Sequence, residues 1–204
     1  LTAWKEFNGT RWALRSNPSS GNLHPTEGYI ILPAPAAGSL GPGVYHYATC
    51  EHALEQRAVL GEVAWDALAA RLPPGTFLVG LTSIHWREAW KYGERAYRYC
   101  QHDLGHALGA MCFAAAALGW RVALLSSLSD AEVSGLLGID RASDFANAEA
   151  EHPGLIAAVL TDETALAPRA LAQDTVTAVR AGEWRGSANR LSAKHVAWEA
   201  IGVV

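Results

Sequence analysis

The sequence predicts an α+β fold, a sheet flanked by helices with one long helix at its centre. Three observations carry this reading. Thr76–Ile84 is a continuous apolar run after Pro73-Pro74, as in a strand covered on both faces. Trp90–Leu118 is long, and after position 104 its Ala, Leu and Gly content leaves almost no polar face, the pattern of a helix buried on all sides. Val44–Thr49 alternates as Val-Tyr-His-Tyr, the period of a half-buried strand.

The remaining elements follow in chain order. Residues 4–15 read as a short helix or irregular lead-in. Gly28–Leu32 is a β-type run, and Pro33–Gly43 is a Pro/Gly/Ala connection. Ala53–Gln56, beyond the Cys50-Glu51-His52 turn, is the expected partner of Val44–Thr49. Leu60–Leu72 reads as a helix with Val63, Ala67, Leu68 and Leu72 on one face, stopped by Pro73. Arg121–Leu125 and Leu155–Thr161 are strand-like. Asp130–Leu137 is a short helix with Ser129 as its N-cap and Gly138 as its stop. Pro168–Val204 is expected to be mostly helical, with a helix opening at Ser187.

At 204 residues, half of them hydrophobic, the chain can bury one sizeable core, and it is expected to form a single domain over residues 1–204. Its net charge of −4 and lack of basic runs interleaved with aromatics argue against nucleic acid as a partner. Cys50, Cys100 and Cys112 are an odd number without CxxC spacing, which favours a reducing compartment over a disulfide scaffold. No signal peptide and no membrane-spanning run are legible, so a cytoplasmic location is the expectation.

Residues 15–29 concentrate the chemistry. Pro18 fixes φ and Gly21 can take φ > 0, so Ser19, Ser20 and Asn22 can turn donors toward one bound molecule, with His24 and Arg15 beside them. Such a turn suits a planar heterocycle with a phosphate tail. Trp90-Lys91-Tyr92-Gly93-Glu94-Arg95-Ala96-Tyr97-Arg98-Tyr99 is the second informative stretch. Arg95 and Arg98 can face an anion, and one of them is expected to pair with Glu88 or Glu94. Trp86, Trp90, Tyr92, Tyr97 and Tyr99 form an aromatic cluster fit for packing or for a pocket wall.

The order Pro-Ser-Ser-Gly-Asn-Leu-His-Pro-Thr-Glu over 18–27 resembles a segment of the nitroreductase superfamily, in its SagB-type (azoline dehydrogenase-like) branch. The Lys-Tyr-x-x-Arg-x-Tyr-Arg-Tyr stretch over 91–99, with Gly105-His106 and Leu118-Gly119-Trp120, resembles that branch independently. The resemblance covers most of residues 11–162. It implies a nitroreductase-like fold with a central, mainly antiparallel sheet, FMN as cofactor, and a dimer with flavin at the interface. Arg15, Pro18, Ser19, Ser20, Gly21, Asn22, His24 and Arg95 are then the expected FMN-binding residues, and Lys91 and Tyr92 the expected catalytic pair. Oxidising an azoline-type ring needs a base to remove a proton as hydride leaves, which a lysine or tyrosinate can supply. The substrate would be a small molecule or a peptide azoline; reduction of nitro or quinone compounds with NAD(P)H is equally open. The partner is expected to be a second copy or a second half of a longer chain.

Two departures from the family open an alternative. The family's Arg-Arg-Ser type motif, which contacts the FMN phosphate, is not found, and residues 107–111 read Ala-Leu-Gly-Ala-Met where many relatives carry amides. The chain resembles one half of a tandem protein, whose other segment or subunit would supply phosphate ligands. The alternative function is thus a non-catalytic structural half that completes a partner's flavin site. His102 and His106 stand at i, i+4, a spacing that can chelate zinc, but Asp103 replaces the zincin Glu and no third ligand is evident, so no metal is expected.

Overall fold

The structure, a computed structural model, describes residues 2–32, 40–162, 164–166, 168 and 170–193. Most of the Pro/Gly/Ala connection (33–39) and the chain from 194 onward lie outside the described residues.

The chain opens with a hairpin, β1 (Thr2–Phe7) and β2 (Thr10–Arg15), rather than the expected helix or irregular lead-in. The reason is local. Asn8-Gly9 forms a two-residue loop with both residues left-handed, φ 51° and 74°, the turn whose twist matches that of paired strands. The hairpin stands apart from the main sheet.

Seven strands make that sheet in the order β7-β8-β6-β3-β4-β5-β9. They are β3 (Thr26–Leu32), β4 (Gly43–Ala48), β5 (Ala53–Val59), β6 (Phe77–Ser83), β7 (Arg121–Leu124), β8 (His152–Leu160) and β9 (Glu183–Trp184). Every neighbouring pair is antiparallel. The continuous apolar run becomes β6, flanked by β8 and β3, as a two-sided burial pattern requires.

Strand alternation separates two layers. On one face Ile31, Val44, Leu78, Ile156 and Leu160 pack with Leu68, Leu136, Leu137, Val176 and Val179 of three helices into the main core. Those helices are α1 (Glu62–Ala69), α4 (Asp130–Leu137) and α5 (Gln173–Arg180). Helix α1 turns Ala64 and Leu68 inward, with Leu72 buried beyond its end. Val63, expected on that face, is 78% exposed, because 3.6-residue periodicity rotates it away from Ala64 and Leu68. Helix α4 begins and ends as expected. Ser129 and Glu132 form a reciprocal capping box, and Gly138 closes the helix in the left-handed region at φ 69°.

On the other face lie α2 (Trp86–Tyr92) and α3 (Ala96–Ala117). The single helix expected over Trp90–Leu118 is two helices. Gly93, at φ 57° and ψ −139°, breaks the backbone in a region that favours glycine, and a short turn over Gly93–Arg95 redirects it. The 22-residue α3 buries Ala96, Cys100, Asp103, Leu104 and Ala115. In the single chain its other side is bare: Phe113 is 81% exposed, Leu118 just beyond it is 62% exposed, and open space lies above Gly105 and Gly109. Apolar composition implies a helix buried on all sides; α3 is instead buried on one side and exposed on the other.

Over the described part of the C-terminal stretch the expectation of mostly helix is also corrected. After α5 and β9, residues 185–193 run without helix, and Ser187 opens none. The segment is tied down in extended form: the Ala188 N–H donates to the Asp144 carbonyl (2.7 Å), and the Leu191 and Ser192 N–H groups donate to the Glu149 carboxylate (2.7 and 2.8 Å). These bonds capture the backbone donors that a helix would otherwise use internally.

Candidate active site

The segment 16–25 carries the chain from β2 to β3 across the top of α2 and α3. Its centre is a tight turn over Ser20–Asn22. Gly21, Asn22 and His24 all adopt left-handed backbone, at φ 61°, 60° and 51°. Two of these are not glycine, so the surroundings must hold them there. The Ser19 hydroxyl accepts from the His24 N–H (2.8 Å), the Asn22 N–H donates to the Ser19 carbonyl (3.1 Å), and His24 Nε2 donates to Asn22 Oδ1 (2.9 Å).

Asp103 of α3 anchors the turn. Its carboxylate accepts from the Ser19 hydroxyl (2.6 Å) and the Ser20 N–H (3.3 Å), and the residue is buried. Ser19 therefore spends its hydroxyl on shaping the turn. Among the described residues, the Ser20 hydroxyl and the Gly21 N–H have no internal partner and remain available.

Lys91 and Tyr92 arrive at the same point from the end of α2. A Cβ placed on Gly21 would lie 2.6 Å from both Lys91 Nζ and Tyr92 OH. Two segments some 70 residues apart thus share one small space, which only glycine leaves open. The Lys91 ammonium also lies 5.1 Å from the Tyr92 ring centroid, and Tyr92 meets Tyr99 edge-on at 4.7 Å. Pro18 is exposed beside the turn. Arg95 is exposed in the Gly93–Arg95 turn; among the described residues neither it nor Arg98 pairs with Glu88 or Glu94, contrary to the i, i+4 expectation. Helix α2 ends before Arg95, so the spacing that would align these side chains does not exist.

Arg15 stands at the other end of the segment. It donates to the Thr26 carbonyl (2.5 Å) and to Thr49 Oγ1 (3.2 Å), with Glu27 at 3.9 Å. Burial lowers its affinity for a proton, Glu27 opposes this and Arg87 adds to it. Behind it Glu27 gathers positive charge: Arg87 is in contact, and His46 Nε2 donates to it at 2.8 Å while His46 Nδ1 donates to Glu55 at 2.9 Å. Burial works against a charged His46, but the Glu27 and Glu55 carboxylates outweigh it and raise the imidazole above its ordinary value. His24 goes the other way: burial, then Arg15 and Arg87, lower it, so the imidazole beside the turn is neutral near pH 7.

A cavity of about 530 Å³ adjoins Arg15, Ser16 and Asn17. Its floor is the sheet at Gly28, Ile30, Val79 and Leu81, and one wall is α3 at Ala107, Ala110, Met111 and Ala114. It is within the size range of small-ligand sites and is mostly apolar with a charged rim.

Sequence reasoning brought together the turn, Lys91 and Tyr92. It missed Asp103, Arg87 and Glu88 as parts of the site. Asp103 was legible only as the residue between two histidines; no local pattern announces an anchor 83 positions from its ligand. His102 and His106 are exposed on α3, and among the described residues no cluster of three or more His, Cys, Asp or Glu is arranged to hold a metal ion.

Comparison with known proteins identifies the family. The sequence model of the Nitroreductase family matches residues 6–148, and the chain belongs to that family. Among solved structures it is similar to a protein from Anabaena variabilis described as a nitroreductase, at 29% identity and a TM-score of 0.59, over 78% of this chain and 32% of that one. It shares its fold with a chain of the E. coli microcin synthetase McbBCD complex with truncated pro-MccB17 bound (21% identity, TM-score 0.56, 72% of this chain and 55% of that one). It also shares its fold with a protein from Ralstonia eutropha described as a nitroreductase (16% identity, TM-score 0.53, 74% and 64%). The chain thus spans from about a third to under two thirds of the length of these structures. A search of curated proteins returned no significant match.

Proposed function

We propose that this nitroreductase-family chain is an FMN-dependent oxidoreductase of the SagB type, acting on an azoline-type ring in a small molecule or peptide. The observation that carries the reading is the convergence of Lys91 Nζ and Tyr92 OH on Gly21, at the centre of the strained turn. The residues present fit a flavin. Unused donors at Ser20 and Gly21 can meet the polar edge of a ring system, the apolar cavity beyond Arg15–Asn17 can take its flat body, and Arg15 and Arg95 supply positive charge for an anionic tail.

When bound, FMN would supply the hydride acceptor that no amino-acid side chain offers. The chain's own contribution is acid–base and positional. Pro18, Ser19, Asn22 and the neutral His24 hold the turn; Asp103 fixes it to α3. Lys91 or Tyr92 takes the proton that leaves the substrate ring as its hydride departs, so one C–H bond loses its pair to the cofactor and one bond to hydrogen its proton to the protein. The same site run with NAD(P)H as donor would reduce nitro or quinone compounds. The bare side of α3 supports a requirement for a partner, either a second copy or the second half of a longer chain.

A second reading is favoured by one observation: the α3 wall of the cavity, Ala107, Ala110 and Met111, offers no polar side chain. A structural half that completes a partner's flavin site would need none. One experiment separates the two. The protein is reconstituted with FMN and supplied with a synthetic thiazoline peptide, and Lys91→Met is compared with wild type. The catalytic reading expects flavin retention with turnover reduced about 10²- to 10⁴-fold. Retained flavin with no turnover by the wild-type protein supports the structural reading, unchanged turnover in Lys91→Met removes Lys91 as the base, and an FMN spectrum unperturbed by the wild-type protein removes the first.

A further inference from the structure

Glu88 lies on α2 one turn before Lys91, and its side chain is shut off from water, with 0% of the residue exposed. Neither of its carboxyl oxygens has a hydrogen-bond partner among the described residues. A buried carboxylate with nothing to accept from is among the most costly groups a protein can hold. Its neighbour across the helix interface is treated differently. Asp103 has the Ser19 hydroxyl and the Ser20 N–H as donors. Two carboxyl groups thus share the space between α2 and α3, and only one of them is provided for.

We propose that Glu88 is a positioning residue for Lys91: a buried proton store, coupled to Asp103 across the α2–α3 interface, whose protonation sets the charge behind the Lys91 amine. The surrounding groups support this from each side. Burial pushes Glu88 up to about 7; the Asp103 charge pushes the same way, and the Lys91 ammonium opposes both. Cys100 of α3 is held as a neutral thiol, pushed up to about 12 by burial and then by Glu88 and Asp103. His85, at the start of α2, is lowered to about 4 by burial and by His152 and is neutral near pH 7. Glu88 therefore changes charge around neutrality, where the Cys100 thiol and the His85 imidazole do not. Ionised, it stabilises the ammonium form of Lys91; protonated, it releases that hold. The state of Glu88 thus sets the local field at the base of the Lys91 side chain.

The inference rests on the catalytic reading of Lys91, and its test separates the two. Infrared titration of the flavin-free protein, taken as a difference against Glu88→Gln, should show a protonated carboxyl signal that disappears around pH 7. In Lys91→Met the midpoint of that signal should rise by about 0.5–1 pH unit, since the opposing cation is gone. In the FMN-loaded enzyme, wild-type kcat/KM should change across pH 7, where Glu88 changes charge, and that of Glu88→Gln should lose this step. A Lys91→Met midpoint equal to that of wild type, or no protonated carboxyl signal assigned to Glu88, overturns the coupling whatever Lys91 does. A shifted midpoint with wild-type turnover in Lys91→Met overturns the catalytic reading and with it the positioning role, while the coupling stands.

Discussion

Glu27 and Glu88 are both buried carboxyl groups on the edge of the same site, and they have opposite fates. Glu27 meets Arg87, Arg15 and His46. Burial alone would raise it, but the His46 hydrogen bond and the charges of Arg87 and Arg15 overcome burial and hold it below the ordinary carboxylate range. Glu88 has no such partners and is raised to about 7. Burial is nearly the same in the two places, so partners decide the outcome. A paired carboxylate holds the β3–β4–α2 corner together; an unpaired one is free to change charge. The first belongs to the architecture and the second to the chemistry.

The strongest way to break this comparison is Glu27→Ala. Arg15, Arg87 and His46 would keep their buried charge and lose its compensation, a loss of about 3–5 kcal/mol for a broken buried pair. Urea denaturation at pH 7 should show it. A cost under about 1 kcal/mol, the level of an exposed pair, would mean that solvent screens the cluster.

Glu88→Gln should do the reverse, with a sign that depends on pH. In the unfolded chain Glu88 titrates near an ordinary glutamate, and in the native state near 7, so between those values the native state holds the extra proton. Stability therefore falls as pH rises through that window, by about 3 kcal/mol once pH 8 is reached. Glutamine avoids this loss. The variant should match wild type below about pH 4.5 and exceed it increasingly up to pH 8. Glu27, being depressed, contributes in the opposite sense: its stabilisation is present above the ordinary carboxylate range and is lost as pH falls through its native value. Urea midpoints for both variants across pH 4–8 read the two slopes side by side. A Glu88→Gln advantage independent of pH would assign the gain to packing and end the contrast.

How much of this was legible in the sequence follows from range. The strands showed themselves by alternation, and α4 by Ser129, Glu132 and Gly138, all signals within a few residues of their effect. The first hairpin carried an equally local signal in Asn8-Gly9, but the segments on either side of it lack alternation. Apolarity after position 104 read as burial on all sides, but α3 is buried on one side only, because composition does not say what packs against a helix. The break at Gly93 lay inside a pattern apolar and aromatic enough to read as continuous helix. In the site, the turn and Lys91-Tyr92 were visible as ordered motifs. Glu88 read as a surface salt-bridge partner because its burial depends on how α2 meets α3 after Gly93, which no local spacing encodes. Asp103 was hidden for the same reason.

Gly21→Ala gives the smallest and most selective effect. The residue sits at φ 61°, where a Cβ costs about 1 kcal/mol. The new methyl would meet Lys91 Nζ and Tyr92 OH at 2.6 Å, the far ends of two side chains and no backbone. Lys91 is exposed and Tyr92 is half-buried, so both side-chain tips can move aside. The fold should therefore lose only the backbone cost, about 1 kcal/mol in urea, and the Glu27 cluster should keep its pH slope. The amine, however, leaves the turn. The Glu88 infrared midpoint should then drift in the direction seen with Lys91→Met, and turnover should fall well out of proportion to the stability lost. A loss of 3 kcal/mol or more, on the scale of a broken buried ion pair, would place the turn with Glu27 among the parts that hold the fold. A loss of about 1 kcal/mol with a displaced midpoint places it with Glu88, as a part whose strain is kept because it aims a side chain.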